Sequence, residues 1–105
     1  YFSVVSHNAI KAWKRHHEMT LNLVVPVGKI RFVLFDDRKE QNNQFQEVVL
    51  STENYCRLTI PPMVWMGFQG ISSIDSMLLN IADIHHSPHE VDRKKIDEME
   101  FDWNV

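Results

Sequence analysis

Cysteine and glycine are scarce in this chain, and long hydrophobic runs are absent from it. Its 105 residues include one cysteine, Cys56, and three glycines. A single cysteine cannot form a disulfide within the chain, and the sequence holds no glycine-rich phosphate loop and no CxxC pair. A membrane-spanning helix needs about 20 consecutive apolar residues, and no segment approaches that length. These absences predict a cytoplasmic protein with no membrane partner.

Neither sign of charge dominates. There are 11 lysines and arginines against 14 aspartates and glutamates, which gives a formal net charge of -3. The basic residues are interspersed with acidic ones, so no nucleic-acid surface is indicated. The length predicts a single domain over residues 1–105. The chain starts at Tyr1 with no secretory segment, and we expect that an N-terminal part of the protein precedes it.

Short apolar blocks rich in Val, Ile, Leu and Phe follow one another along most of the chain, separated by turn residues. This spacing is typical of β-strands and predicts six to eight of them. Parallel strands would need helical crossovers, and almost no helix is indicated. The predicted fold is therefore all-β: a double-layered antiparallel β-sandwich of the jelly-roll type.

Three local features refine this prediction. Gly28, within "VGK", is free to adopt positive φ and predicts a hairpin between the flanking strands. The segment "SPHEVDRKKIDEME", residues 87–100, predicts a short C-terminal helix with Ser87 as N-cap and Pro88 in its first turn. The closing "FDWNV" is expected to dock on the sheet through its apolar residues.

Six histidines raise the possibility of a metal site. Imidazole and carboxylate groups bind transition metals, and His16 and His17 are followed by Glu18. Adjacent residues of a strand point to opposite faces, so His16 and His17 cannot both enter one site without a bulge. We interpret them, with His85, His86 and His89, as surface or loop histidines.

Two further groups of polar residues allow alternative interpretations. Lys11, Lys14 and Arg15 surround Trp13, where cations beside an aromatic ring could hold a phosphate and a flat ring. The alternative is a solvated strand edge, where lysines discourage aggregation. Asn22 and Asn80 interrupt apolar strands; each amide either hydrogen-bonds to protein or ligand, or faces outward.

The stretch "LSTENYCRLTIPPMVWMGFQGIS", residues 50–72, resembles a motif of the dTDP-4-dehydrorhamnose 3,5-epimerase family, the RmlC-like cupins. That motif runs approximately as LS-x-EN-x-x-x-L-x-IPPGFAHGF. The matching residues are Leu50, Ser51, Glu53, Asn54, Leu58, Ile60, Pro61, Pro62, Gly67 and Phe68. "VGKIRFVLFDDR" and "IKAWKRH" are similar to two further family segments, so the likeness extends from Ile10 to Trp103.

The resemblance implies a cupin jelly roll that forms a homodimer and needs no metal or other cofactor. It implies a nucleotide-sugar partner, namely a nucleotide-linked 4-keto-6-deoxy sugar of deoxysugar and surface-polysaccharide biosynthesis. In the family, a histidine base removes protons next to the ketone and a lysine steadies the enolate. This chemistry is reasonable because a ketone acidifies the neighbouring C–H bonds.

The family's base histidine falls on Lys14 in this chain, and its diphosphate-binding arginine falls on Lys11. Lys14 is therefore the candidate base or enolate stabiliser, with a pKa lowered by burial and by Lys11 and Arg15. Strict alternation places Lys11 and Lys14 on opposite faces, so both reach one site only if a bulge separates them. The candidate substrate-binding residues are Lys11, Arg15, Asn22, Trp65 and Asn80.

Three functional interpretations follow. The preferred one is a sugar-nucleotide epimerase or isomerase, with enzymatic activity left open because the family's catalytic residues are replaced. The second is a non-catalytic cupin that binds a nucleotide sugar or another small ligand. The third is a metal cupin that uses His16 or His17, and Met66 counts against it because the family motif has a histidine there.

Overall fold

The fold was analysed in a computed structural model, which describes residues 2–38, 44–83 and 88–104. Nine strands alternate with short turns. Their bounds are β1 (Phe2–Val5), β2 (Ile10–His16), β3 (Leu21–Val27), β4 (Lys29–Phe35), β5 (Gln46–Ser51), β6 (Leu58–Ile60), β7 (Trp65–Gly70), β8 (Ser76–Asn80) and β9 (Val91–Arg93). No helix within these described ranges is long and apolar enough to cross a membrane.

The strands form two antiparallel sheets. The four-stranded sheet has the order β1-β8-β3-β6, and the five-stranded sheet has the order β5-β4-β7-β2-β9. Leu23, Ile30 and Phe32, each at most 1% exposed, belong to the main core. They come from strands of both sheets, so the two sheets pack face to face across this core. The predicted all-β antiparallel sandwich is confirmed.

The turn at Gly28 differs from the predicted hairpin. Gly28 does adopt positive φ, at 85°. However, β3 pairs with β6 and β8, whereas β4 pairs with β5 and β7. The chain therefore crosses from one sheet to the other at Gly28. Ser76 accepts a hydrogen bond from the Lys29 amide at 3.0 Å, and a side chain at Gly28 would collide with Ser76.

The C-terminal segment forms less helix than the sequence predicted. Two 3-10 turns, Pro88–Glu90 and Ile96–Glu98, stand where a continuous helix was expected, and β9 lies between them. The reason is tertiary: β9 pairs with β2, so Val91 lies opposite His16 and Arg93 lies opposite Lys14. The predicted N-cap, Ser87, lies outside the described residues, as do His85, His86 and residues 39–43 of the loop after β4.

The end of the chain docks on the five-stranded sheet, as predicted. Trp103 is 6% exposed and packs in a second apolar cluster with Trp13, Val33 and Trp65. Gly67 permits this close approach, because a Cβ there would lie 2.7 Å from the Ala12 Cβ and 3.0 Å from Trp103. This second cluster covers the side of the sheet that faces away from the main core.

The double proline precedes a tight turn. Residues 61–64 lead from β6 in the four-stranded sheet to β7 in the five-stranded sheet. Met63 adopts a φ of 70°, a conformation that costs a side-chain-bearing residue about 1–2 kcal/mol. Its amide donates a hydrogen bond of 2.7 Å to the carbonyl of His16. The turn thus connects the two sheets and holds the end of β2.

Candidate functional site

A cavity of about 400 Å³ opens between the two sheets. One wall comes from β2 and β9 of the five-stranded sheet and from the residue after β9. This wall carries Lys11, Lys14, His16, Arg93 and Lys94. Met66 and Phe68 of β7, in the same sheet, add apolar surface. We call the charged surface the basic wall.

The facing wall comes from β1, β3 and β8 of the four-stranded sheet. It carries Leu21, Leu23 and Leu78, together with Ser3 and Asn80. The three leucines are at most 5% exposed and belong to the main core. We call this surface the apolar wall. A ligand in the cavity would meet cations and an imidazole on one side, and mainly hydrocarbon on the other.

An irregularity in β2 brings both lysines to the basic wall. Lys11 lies opposite Phe68 and Lys14 opposite Met66, and the register between β2 and β7 shifts between these two pairs. Phe68 and Met66 are two residues apart, whereas Lys11 and Lys14 are three apart, as a bulge requires. The bulge on which the Lys14 hypothesis depended is therefore present.

Lys14 has an altered protonation equilibrium. Its side chain is exposed at the cavity, yet partial burial, Arg93 and Lys11 together lower its pKa from the ordinary value. Burial and like charge both disfavour the ammonium form, which explains the direction. Arg93 takes the place that the sequence-based hypothesis gave to Arg15.

His16 forms a buried pair with Glu90, which lies just before β9. The Nδ1 of His16 is 2.5 Å from Glu90 Oε1. The other carboxylate oxygen accepts hydrogen bonds from the backbone amides of Glu18, at 3.0 Å, and Met19, at 3.2 Å. Glu90 is 7% exposed, and its carboxylate sits in a pocket of donors.

These donors decide the ionisation of Glu90. Burial raises the pKa of its carboxyl, but the hydrogen bonds from His16, Glu18 and Met19 outweigh burial and lower the pKa to about 2. The ionised carboxylate can only accept, so His16 carries its proton on Nδ1. Glu90 engages Nδ1, so Nε2 is the ring nitrogen that is not bonded to this carboxylate, and His16 is among the residues that line the cavity. When neutral, an imidazole held in this way accepts a proton at Nε2, as a general base does.

The predicted site residues separate into two groups. Lys11, Lys14 and Asn80 line the cavity, and Asn80 is 3% exposed. Asn22 does not reach it. The hydroxyl of Thr59 donates to Asn22 Oδ1 at 2.9 Å, and Asn22 Nδ2 donates to the carbonyl of Ile81 at 3.1 Å. The Asn22 amide is therefore bonded to the protein, one of the alternatives that the sequence allowed.

Arg15 and Trp65 lie behind the basic wall. Arg15 forms ion pairs with Asp37, at 3.3 Å, and with Asp92, at 2.7 Å. Trp65 is 3% exposed and donates from Nε1 to Asp37 at 3.0 Å. Neither residue is among those that line the cavity. They support the basic wall from its other side.

Four residues of the site were missed at the sequence level: His16, Glu90, Arg93 and Lys94. His16 was interpreted as a surface histidine, yet it follows Lys14 by two residues, and alternation places the two on one face. The other three lie in the segment that was predicted to be helical, where their facing could not be assigned. His17 fits the original interpretation, because it is exposed and contacts Asp92 at 2.9 Å.

The metal hypothesis gains no support from this geometry. Within the described part of the chain, no three His, Cys, Asp or Glu side chains cluster in a way that could hold a metal ion. His16 is bound to Glu90 through Nδ1, whereas the side chain of His17 contacts Asp92 and so lies apart from that pair.

Comparison with known proteins places this geometry in a family. No family model matches the chain. A dTDP sugar isomerase from Desulfovibrio desulfuricans G20, solved as a crystal structure, is 38% identical, with a TM-score of 0.91 over 99% of this chain and 69% of its own. The chain belongs to the dTDP-4-dehydrorhamnose 3,5-epimerase family. The cupin jelly roll expected of this RmlC-like family is confirmed by the same match.

Two further similarities agree with this assignment. The probable low-salt glycan biosynthesis epimerase Agl13 of Haloferax volcanii is 29% identical over 112 residues, which span all of this chain and 72% of that protein. The dTDP-4-dehydrorhamnose 3,5-epimerase of Sulfolobus tokodaii is 23% identical, with a TM-score of 0.83 over 100% of this chain and 61% of its own, and supports the fold alone. The RmlC-like cupin thus shares its fold with these relatives.

Proposed function

We propose that this RmlC-like cupin is a sugar-nucleotide epimerase or isomerase that enolises a nucleotide-linked 4-keto-6-deoxy sugar. We place the reaction in deoxysugar and surface-polysaccharide biosynthesis. The observation that carries the proposal is the His16–Glu90 pair, since it presents an oriented base to a cavity that Lys11, Lys14 and Arg93 also line. The names of two relatives support the proposal: one, 38% identical, is a dTDP sugar isomerase, and the other, 29% identical, is a probable glycan biosynthesis epimerase.

Binding follows from the charge of the basic wall. Lys11, Lys14 and Arg93 face a cavity that has no carboxylate among its described lining residues. A nucleoside diphosphate esterified to a sugar carries two negative charges, which such cations bind by charge-assisted hydrogen bonds. The apolar wall suits the deoxygenated C6 methyl group and the less polar face of the sugar ring.

The chemistry assigns separate roles to His16 and Lys14. Nε2 of His16 accepts the proton from the carbon next to the ketone, and the electron pair of that C–H bond moves toward the carbonyl oxygen. The ammonium group of Lys14 stabilises the resulting enolate, because it places a positive charge where negative charge develops. The imidazolium can return a proton to carbon only on the face from which His16 removed it. Lys14 was the candidate base or enolate stabiliser; we assign it the second role.

A second reaction is favoured by the distribution of ionisable groups. All those that line the described cavity lie on the basic wall, and the described residues of the apolar wall have none. Inversion of a carbon needs a proton donor on the face opposite to the base. A single base can instead move a carbonyl between neighbouring carbons. Removal of the C3 proton gives an enediolate, transfer of the O3 hydroxyl proton to O4 leaves the negative charge on O3, and protonation at C4 then gives a 3-keto sugar. We propose this isomerisation as the second candidate.

The test is proton NMR of dTDP-4-keto-6-deoxyglucose with the protein in heavy water. Deuterium at C3 or C5 with inverted stereochemistry would support epimerisation, whereas deuterium at C4 with a new C3 ketone would support isomerisation. If the C3, C4 and C5 proton signals keep the same integrated intensity as in a protein-free control, both reactions are overturned. Broadening of the sugar resonances in that case would favour the non-catalytic cupin that only binds the sugar. Lys14→Ala should reduce exchange about tenfold or more, and full activity would contradict its assigned role.

We further propose that the protein forms a homodimer and is located in the cytoplasm. The outer face of the four-stranded sheet exposes Phe2 and Val4 of its edge strand β1, at 62% and 59%. Exposed apolar side chains beside an unpaired strand edge are typical of a protein–protein contact. Light scattering of the purified protein tests the dimer, and a monomer at micromolar concentration would contradict it.

A further inference from the structure

Strand β9 brings two groups to the cavity, yet little apolar surface fixes its position. Glu90 directly precedes β9 and bonds to His16, and Arg93 at the end of β9 lines the cavity. β9 has three residues and lies at the edge of the five-stranded sheet, and none of its side chains is buried. Because burial of one face is what normally fixes the register of a strand, the register of β9 needs another source.

Backbone hydrogen bonds hold β9 against β2 without selecting that register. The His17 amide donates to the Glu90 carbonyl at 2.7 Å. Trp13 and Lys94 exchange two backbone hydrogen bonds, at 2.9 and 3.1 Å. The same donors and acceptors recur along every strand, so a pairing slipped by two residues would form similar bonds. Such a slip displaces a side chain by about 7 Å, which would take the Glu90 carboxylate out of reach of His16.

An ion pair directly across the two strands does depend on the register. Arg15 of β2 lies opposite Asp92 of β9. The Arg15 guanidinium donates to the Asp92 carboxylate from Nε, at 3.1 Å, and from Nη2, at 2.7 Å. It also lies 4.7 Å from the centroid of the Trp65 ring, and its side chain is 19% exposed. The hydrogen bonds and the ring restrict the guanidinium to one position, unlike the loose surface ion pairs that contribute little.

This pair lies on the side of the two strands that faces away from the cavity. Lys14 and His16, on either side of Arg15, line the cavity, and so does Arg93 beside Asp92. Neighbouring residues of a strand face opposite ways, so a pair fixed on the outer side also fixes which residues face the cavity. With Arg15 bound to Asp92, Arg93 stays opposite Lys14.

Two neighbours of the pair do not join β9 to β2 in the same way. His17 lies 2.9 Å from Asp92, but its side chain is 43% exposed, and exposed ion pairs contribute little. Asp37 accepts a hydrogen bond from Arg15 at 3.3 Å and lies after β4. Asp37 thus contacts the same guanidinium but belongs to neither strand, which makes it a matched control for Asp92.

We propose that Arg15 and Asp92 are positioning residues: their ion pair fixes the register of β9 on β2. Glu90 is thereby held beside His16. The consequence for catalysis rests on the proposed function, because His16 is the base of the same cavity. The inference also gives a role to Arg15, which was predicted to bind substrate and does not line the cavity.

The experiment is nitrogen NMR of the histidine rings at about pH 9, where imidazoles are neutral. In the unaltered protein we expect His16 to carry its proton on Nδ1, because Glu90 accepts a hydrogen bond there. Asp92→Ala should give a mixture of the two His16 tautomers, whereas Asp37→Ala should keep the Nδ1 form. A His16 spectrum that Asp92→Ala leaves unchanged would overturn the inference.

Two substitutions of Arg15 separate the ion pair from packing. Arg15→Met keeps the stem of the side chain beside the Trp65 ring but loses the charge, and it should lose the Nδ1 form of His16. Arg15→Lys keeps the charge and should retain that form. The same tautomer mixture in both variants, with both folded by circular dichroism, would contradict the role of the ion pair. Arg15→Met combined with Asp92→Ala should change the spectrum no further than either alone, since both remove the same pair.

The same variants connect the register to the reaction. At saturating keto sugar, we expect Asp92→Ala to lower the rate of deuterium exchange about tenfold and Asp37→Ala to change it less than about twofold, because only the first misplaces the base. If the unaltered protein shows no exchange, the proposed function fails, while the tautomer spectra still decide the positioning role. If exchange occurs and the His16 tautomer is insensitive to Asp92→Ala, the proposed function stands and only the positioning role fails.

Discussion

The two walls of the cavity are both built from antiparallel strands, yet they carry opposite kinds of side chain. The apolar wall follows regular alternation: Leu21 and Leu23 of β3 face inward, and Asn22 between them faces away. The basic wall breaks alternation at the bulge in β2, so Lys11 and Lys14 both face the cavity. At the cavity, regular alternation thus supplies the leucines of the apolar wall, and a bulge brings the charged groups of the basic wall together.

The two walls also differ in what they contribute: the apolar wall stabilises the fold, and the basic wall serves the proposed reaction. Complete burial of a leucine side chain stabilises a fold by about 1.5–3 kcal/mol, whereas cations brought together at a cavity repel one another and lose hydration. The lowered pKa of Lys14 reflects that cost. We therefore expect substitutions on the basic wall to act mainly on the reaction, and substitutions on the apolar wall mainly on folding.

His16→Asn should have the largest effect. The asparagine amide can still donate to Glu90, but the base nitrogen Nε2 is lost, and we expect solvent-deuterium exchange into the keto sugar to fall about 1,000-fold. NMR in heavy water measures the loss. The matched control is His17→Asn, on the opposite face and bonded to Asp92, which should exchange at the unaltered rate. Equal losses in the two variants would contradict the role of His16.

Leu23→Ala tests the apolar wall. Leu23 is 1% exposed, and its truncation should lower the free energy of unfolding by about 3 kcal/mol, through lost burial and a residual cavity. Urea denaturation measures the change. Val27→Ala, at 42% exposure on the same strand, should cost about 0.5 kcal/mol or less. A loss below about 1 kcal/mol for Leu23→Ala would refute the structural role of this wall.

The charge of Glu90, which bonds to His16 of the basic wall, should make the stability of the fold depend on pH. Its pKa is lowered to about 2 from an ordinary value of 4.5, so its stabilising contribution is complete above pH 4.5 and is lost as the pH falls toward 2. Glu90→Gln lacks this titration. We expect the stability gap between wild type and Glu90→Gln, measured by denaturation, to narrow over that range.

The exposed Glu100 provides the control for this pH prediction. Glu100→Gln should follow the wild-type stability profile throughout. A gap between wild type and Glu90→Gln that stayed constant from pH 7 to pH 2 would show that the charge of Glu90 is irrelevant to folding.

Met63→Gly should have the smallest effect, with the opposite sign. Glycine relieves the cost of a φ of 70° but loses more backbone entropy on folding, so we expect a net gain of about 0.5 kcal/mol. Thermal denaturation measures it. Val64→Gly, at the next position and without positive φ, should instead be destabilising. If Met63→Gly lowers the free energy of unfolding, the contacts of the methionine side chain stabilise the fold by more than its positive φ costs.

Sequence patterns predicted local properties well and pairings poorly. Short apolar blocks gave the all-β class, and Gly28 adopts the positive φ expected of it, but the hairpin prediction was wrong because β3 and β4 lie in different sheets and each pairs with other strands. Residues 91–93 form β9 because β2 offers them a partner. Such choices depend on hydrogen-bonding partners that a local window of sequence does not contain.

For the site, the sequence by itself determined the side chains available: lysines near an aromatic residue in β2, an amide at Asn80, and the motif at residues 60–68. Only the tertiary structure decided which of them meet. Glu90 lies 74 residues from His16, and its carboxylate becomes an orienting partner only when β9 pairs with β2. Hydrogen bonds and ion pairs act over a few ångströms in space, so a base and its carboxylate are defined by the fold rather than by their spacing along the chain.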